Sequence, residues 1–276
     1  MKLFKRKLNQ NEKLLKNIER YEQEKKTKQQ ESKVHGQKPV KQTRRKLMND
    51  KLHYAPDNAS LIIRIFLEEI EAKYTCNLID RKQNNQKDPN YLALNPNGLI
   101  PVLETNDGPI FETAAILLWL ADQHKCNFPE IENNKRAYGL KWLFFLSNTV
   151  HSSLRILFYS EKYIGTNSNK DFLKNINSQM KNHLTLLNLE VGDKIYFLCN
   201  TPSILDIYLC VMLRWMKLYP INNTDWFLLE RYENLKRICQ NLEIRPSVGI
   251  AAKAEGLGQT IFSNPSYAKP PIGSAT

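Results

Sequence analysis

The chain has 276 residues, 42% hydrophobic and 25% charged, with a formal net charge of +12, a balance that excludes disorder throughout and suits one or two domains with a real core. Its five cysteines (Cys76, Cys126, Cys199, Cys210, Cys239) share no C-x-x-C or other ligand-like spacing, which argues against a disulfide framework or a metal site and for free thiols in a reducing compartment. No apolar run approaches the ~18–20 residues that cross a bilayer, and no apolar core marks a secretion signal, so a cytoplasmic protein is expected.

The charge is concentrated at the N-terminus. Residues 1–48 hold sixteen Lys or Arg and five Glu, a net of +11, which leaves +1 for everything from Asn49 onward. Leu8, Leu15, Ile18 and Tyr21 are spaced for one weak amphipathic helix, and from Thr27 to Thr43 the pattern fades into a solvated, disordered stretch. Three readings of this basic extension stand side by side. It is a solvated tail, a tether to nucleic acid or an anionic membrane, or an artefact of a start assigned upstream of Met48.

From Lys51 the texture changes. KLHYA reads as a short strand, and PDNAS as a turn that can cap a helix carrying Leu61, Ile62, Ile65, Phe66 and Ile70. YTCNLID is a second strand, followed by a polar loop and a short helix at residues 91–94. Then come a strand LIPVLET, a turn at Asn106-Asp107-Gly108, a strand PIFE and a helix TAAILLWLADQH. Pro101 sits inside the apolar run of the third strand, where a residue without an N–H belongs at an edge or a bulge.

Beyond Glu132 no segment reads as a strand. Helical spacing links Tyr138, Trp142, Phe145 and Leu146, then Phe172, Ile176, Met180, Leu184 and Leu187, then residues 207–218, and finally Trp226 to Leu242. Ser203 and Asp206 form a capping-box variant ahead of the third of these, a structural role. The layout is a small α/β domain at 49–128, an all-helical domain at 133–250 and a proline-bearing tail at 251–276, read as irregular from Arg245 onward.

Four stretches in order, YAPDNASLIIRIFLEE, NPNGLIPVLE, FETAAILLWLAD and PSILDIYL, resemble the cytosolic glutathione transferases of bacterial type. The resemblance implies a thioredoxin-like N-terminal domain followed by an all-α domain, a homodimer, a role in detoxification, and glutathione as co-substrate with no permanently bound cofactor and no metal. It also implies a cis Ile100–Pro101 bond that turns the backbone of Ile100 toward the cysteinyl backbone of glutathione. An X–Pro bond is the one kind for which cis costs only ~0.5–1 kcal/mol. Thr113 would bind the γ-glutamyl carboxylate at a helix N-terminus, and Glu112 the α-amino group.

The chemistry needs a thiolate near neutral pH. Lowering a thiol pKa by about two units takes roughly 2.7 kcal/mol, within reach of one hydroxyl donor plus a helix N-terminus. Ser60 at the helix start and Tyr54 in the strand are alternative donors, with Asn58 as a helper amide. In the beta class, which this turn also resembles, a cysteine directly precedes the serine; here that position is Ala59, which removes a mixed-disulfide route through it. His151, with Arg155 and Tyr159 at i+4 and i+8, would face a small, largely apolar electrophile. Phe145, Trp142 and Trp215 are further pocket candidates, although their spacing suits core packing equally. A second function class stays open: a non-catalytic scaffold of the same fold whose basic arm contacts RNA, the ribosome or membrane.

Overall fold

In the computed structural model, residues 50–165, 170–221 and 223–275 are described. The basic extension, with its helix and tether readings, lies outside them.

Strand β1 (Asp50–Tyr54) pairs parallel with β2 (Tyr74–Leu78) and antiparallel with β3 (Val102–Thr105), which pairs antiparallel with β4 (Gly108–Phe111). The sheet order is β2-β1-β3-β4. As a central strand covered on both faces, β1 buries Leu52, His53 and Tyr54 in succession instead of alternating. Helix α1 (Ser60–Glu69) is buried from Ser60 to Leu67, Arg64 included, because it lies between the sheet and the helical half. Helix α2 (Pro89–Leu94) starts at a proline behind an Asp88 cap, and α3 (Thr113–His124) follows β4. This is the thioredoxin-like arrangement, and the helical domain follows it.

The third strand is shorter than LIPVLET. It begins at Val102, after the cis Ile100–Pro101 bond, and the carbonyl of Leu99 accepts hydrogen bonds from the Tyr91 hydroxyl (2.7 Å) and Asn95 Nδ2 (2.8 Å) instead of joining a ladder.

The helical half runs α4 (Arg136–Phe144), a wide π-helical turn (Phe145–His151), α5 (Ser152–Phe158), α6 (Ser160–Ile164), α7 (Lys170–Val191), α8 (Ile204–Leu218), α9 (Glu233–Glu243) and α10 (Pro246–Glu255). The capping box opens α8: Ser203 Oγ accepts the Leu205 N–H at 3.2 Å and the Asp206 carboxylate accepts the Ser203 N–H at 2.7 Å. Asp206 also takes the Phe197 N–H at 2.7 Å, and its burial pushes its carboxyl up to about 6.

Two expectations are corrected. The pattern from Trp226 does not form one helix, because a 3₁₀ turn at Leu229–Arg231 precedes α9. The segment after Arg245 is not irregular, because Pro246 occupies the first turn of α10 and Val248, Ala251, Ala252 and Glu255 are buried. Only after Gly256, whose φ of +66° ends the helix, does the chain run without regular structure. Helix α1 packs on both α8 and α10, so the two halves share one core.

Candidate active site

A cleft of about 670 Å³ opens where the β1–α1 loop, residues 98–101, the β4–α3 junction and the α4–α6 region meet. Its floor is set by an ionic network that begins in the loop. The Asp57 carboxylate accepts from Arg214 Nε (2.8 Å) and Nη2 (2.9 Å), Trp215 Nε1 (3.1 Å) and the Tyr219 hydroxyl (3.0 Å). The Asp57 N–H donates to Glu255 (2.9 Å), which also pairs with Arg64 Nε at 2.8 Å. Burial raises the Glu255 carboxyl to about 7 against the lowering pull of Arg64. Helices α8 and α10 thereby clamp the loop that precedes α1 from two sides.

On the wall above this floor, Asn58 and Ala59 face the cleft at the N-terminal end of α1, and Ala59 N–H donates to Asn58 Oδ1 at 2.8 Å. Neither hydroxyl expected to meet the thiol lies on that wall. Ser60 is fully buried; its Oγ donates to the Ala55 carbonyl (3.0 Å) and accepts the Ala55 N–H (3.2 Å). Tyr54 is 5% exposed, the Arg64 guanidinium covers its ring at 4.4 Å, and burial raises its hydroxyl pKa.

Ile100, Pro101, Glu112 and Thr113 line the cleft together. The φ of +73° at Glu112 is a conformation L-residues seldom adopt, and such outliers gather at ligand sites. Glu112 is the N-cap of α3, yet its side chain makes no capping bond, so it leaves the first-turn N–H groups uncapped. Beside them stand Asn95, Gly98 and Gln86, whose buried Oε1 has no hydrogen-bond partner among the described residues.

The opposite wall comes from the π-helical turn and the two helices after it. His151, Arg155 and Tyr159 all reach the cleft, as do Phe144 and Trp215, whereas Trp142 and Phe145 pack in the core. A π turn adds one residue per turn and is frequent at functional sites. His151 Nδ1 lies 2.8 Å from the hydroxyl of Tyr208, whose pKa burial raises. A buried phenol that keeps its proton must donate it, so Nδ1 is the acceptor and Nε2 carries the hydrogen. Burial, and secondarily the charge of Arg155, lowers the imidazole pKa to about 4.

Sequence reasoning missed Asp57, Arg214 and Glu255, and on the cleft wall Arg81 and Lys162. One signal was visible: Arg214 stands alone in the apolar run of α8, where an unpaired charge is not tolerated.

The family model "Glutathione S-transferase, N-terminal domain" matches residues 51–122. Glutathione S-transferase GstA of Escherichia coli O157:H7 is 27% identical over 211 residues, covering 75% of this chain and 99% of the relative. The beta class glutathione S-transferase of Sphingomonas chungbukensis is 32% identical with a TM-score of 0.62, over 75% of this chain and 98% of that one. The chain belongs to the glutathione transferase family. A sphingomonad glutathione S-transferase solved with glutathione is 30% identical with a TM-score of 0.64, over 75% of this chain and all of that one, 100%. In this glutathione transferase none of the five cysteines lines the cleft, so any reacting sulfur there comes from a ligand. Among the described residues no helix is long and apolar enough to cross a membrane, and no group of three or more His, Cys, Asp or Glu is placed to hold a metal.

Proposed function

We propose that the protein transfers small electrophiles to glutathione. The observation that carries this reading is the shared wall of Ile100, Glu112, Thr113 and Asn58, with an uncapped helix N-terminus at one end and the start of α1 at the other. The γ-glutamyl carboxylate sits on the first turn of α3 with Thr113, the ammonium pairs with Glu112, and the cysteinyl backbone pairs with the main chain of Ile100.

This places the thiol against Asn58 and Ala59. The Asn58 amide, the positive end of α1 and the Nε2–H of His151 together stabilise the thiolate. Ser60 and Tyr54 act instead by holding the strand and loop in place. The sulfur attacks the electrophile, a carbon–sulfur bond forms, the leaving group departs with its bonding pair, and the thiol proton passes to solvent. Phe144, Leu143, Phe158 and Trp215 give the electrophile an apolar bed. As in the rest of the family, a two-fold homodimer working in the cytoplasm is the expected form.

The test is a titration of bound glutathione, following thiolate absorbance against pH. The wild-type thiol pKa should lie well below ~8.5, with Asn58→Ala raising it and Ser60→Ala leaving it in place while lowering the melting temperature. An unshifted thiol in the wild type removes the transferase reading.

A further inference from the structure

Three cations stand on the electrophile side of the cleft, each from a different element: Arg81 after β2, Arg155 in α5 and Lys162 in α6. Two of them meet at Tyr159, and the third lies on the helix that leads to it. Arg81 Nη2 donates to its hydroxyl at 3.3 Å, Lys162 Nζ lies 4.5 Å from its ring centroid, and Arg155 is one helical turn before it. None of the three has a carboxylate within ion-pairing distance among the described residues. Of the two acids on the cleft wall, Asp57 is committed to Arg214, and Glu112 faces the ammonium in the reading above.

Like charges that line one cleft repel one another, and an anion that enters it relieves the repulsion. Glutathione alone does not supply enough charge. With its γ-glutamyl carboxylate on α3, only the glycyl carboxylate remains for three cations. The apolar bed of Phe144, Phe158 and Trp215 lies in the same cleft.

We propose that the electrophile is itself an anion: an apolar, carboxylate-bearing molecule whose carboxylate is held by Arg155 and Lys162, with Arg81 completing the cationic rim. This rests on the transferase reading and narrows its substrate class. Arginine grips a carboxylate at two points, so the rim fixes the orientation of the reacting carbon as well as affinity.

A matched pair of electrophiles tests it: a chloronitrobenzoate and the corresponding chloronitrobenzamide. In each the glutathione sulfur bonds to the ring carbon, the carbon–chlorine bond breaks, chloride leaves with the electron pair, and the thiol proton goes to solvent. The benzoate should show a kcat/KM about tenfold higher or more, a ratio that shrinks as salt rises. The ratio should fall toward one in Arg155→Gln/Lys162→Gln. Calorimetry on the two glutathione conjugates reads the same preference without turnover. Equal kcat/KM and equal conjugate affinities overturn the anionic substrate and leave the transferase standing. If neither conjugate binds, both fail. Two glutathione molecules per chain, the second lost in the double variant, would assign the cations to glutathione and overturn the proposal.

Discussion

The carboxylate of Asp57 and the guanidinium of Arg214 meet in a two-point pair at 2.8 and 2.9 Å, with neither side chain exposed, 157 residues apart in the chain. Such a pair is worth little when both partners are exchanged for apolar groups, but removing one strands a buried charge at a cost of about 3–5 kcal/mol. Arg214→Met should therefore lower the urea midpoint sharply. Asp57→Asn/Arg214→Met should lose less than the two single changes added, because the orphaned carboxylate is gone. Additive losses would mean that the two residues stabilise the fold independently.

Glu112 separates stability from binding. Glycine adopts φ +73° without penalty, so Glu112→Gly should keep or raise the melting temperature by relieving about 1–3 kcal/mol of strain. The same change should raise the KM for glutathione, since the carboxylate is lost. A glutamine replacement should raise KM without the gain in stability. A Glu112→Gly protein with ordinary KM and a depressed melting point would contradict both halves of the argument.

With its folded pKa lowered to about 4, His151 makes stability fall with acid. Below the unfolded value of ~6.5 the unfolded chain takes up a proton that the folded chain refuses. Stability is full above pH 6.5 and is lost progressively down to pH 4, by roughly 3 kcal/mol for this one group. Asp206 and Glu255, both raised by burial, act in the opposite sense over overlapping ranges. The clean observable is thus the difference between wild type and His151→Phe in denaturant unfolding at several pH values. It should widen in favour of the variant as pH falls from 6.5 to 4.

The thiols report on the helical core. Cys199 and Cys76 are exposed, whereas Cys210 and Cys239 are fully buried with their sulfurs 3.6 Å apart between α8 and α9. Thiol reagent should label the first two in the native protein and the last two only on unfolding, detected by peptide mass. Rapid native labelling at Cys210 would show that α8 and α9 separate readily.

What could be read from sequence was local. The strands, α1, α3 and the capping box at Ser203 follow from runs, caps and turns a few residues long, and the break at Pro101 shows because proline cannot serve a ladder. The orientation of Ser60 could not be read, since a hydroxyl at a helix start looks the same whether it turns to Ala55 or to the cleft. Arg214 stood out in its apolar run, but its partner lay 157 residues away in a loop that reads as an ordinary polar turn. Helix α10 was hidden by its proline and glycine, although Pro246 sits where a helix tolerates it. The apolar spacing at Trp142 and Leu146 gives no sign of the π turn.

That turn works as a phase shift. An α-helix advances about 100° per residue, so the wide turn between Phe144 and Ser152 sets the angular frame of α5, which follows it directly. Deleting a single residue there would restore an unbroken helix and swing His151 and Arg155 away from the cleft together. The helix would be more regular, and this part of the electrophile side would face elsewhere.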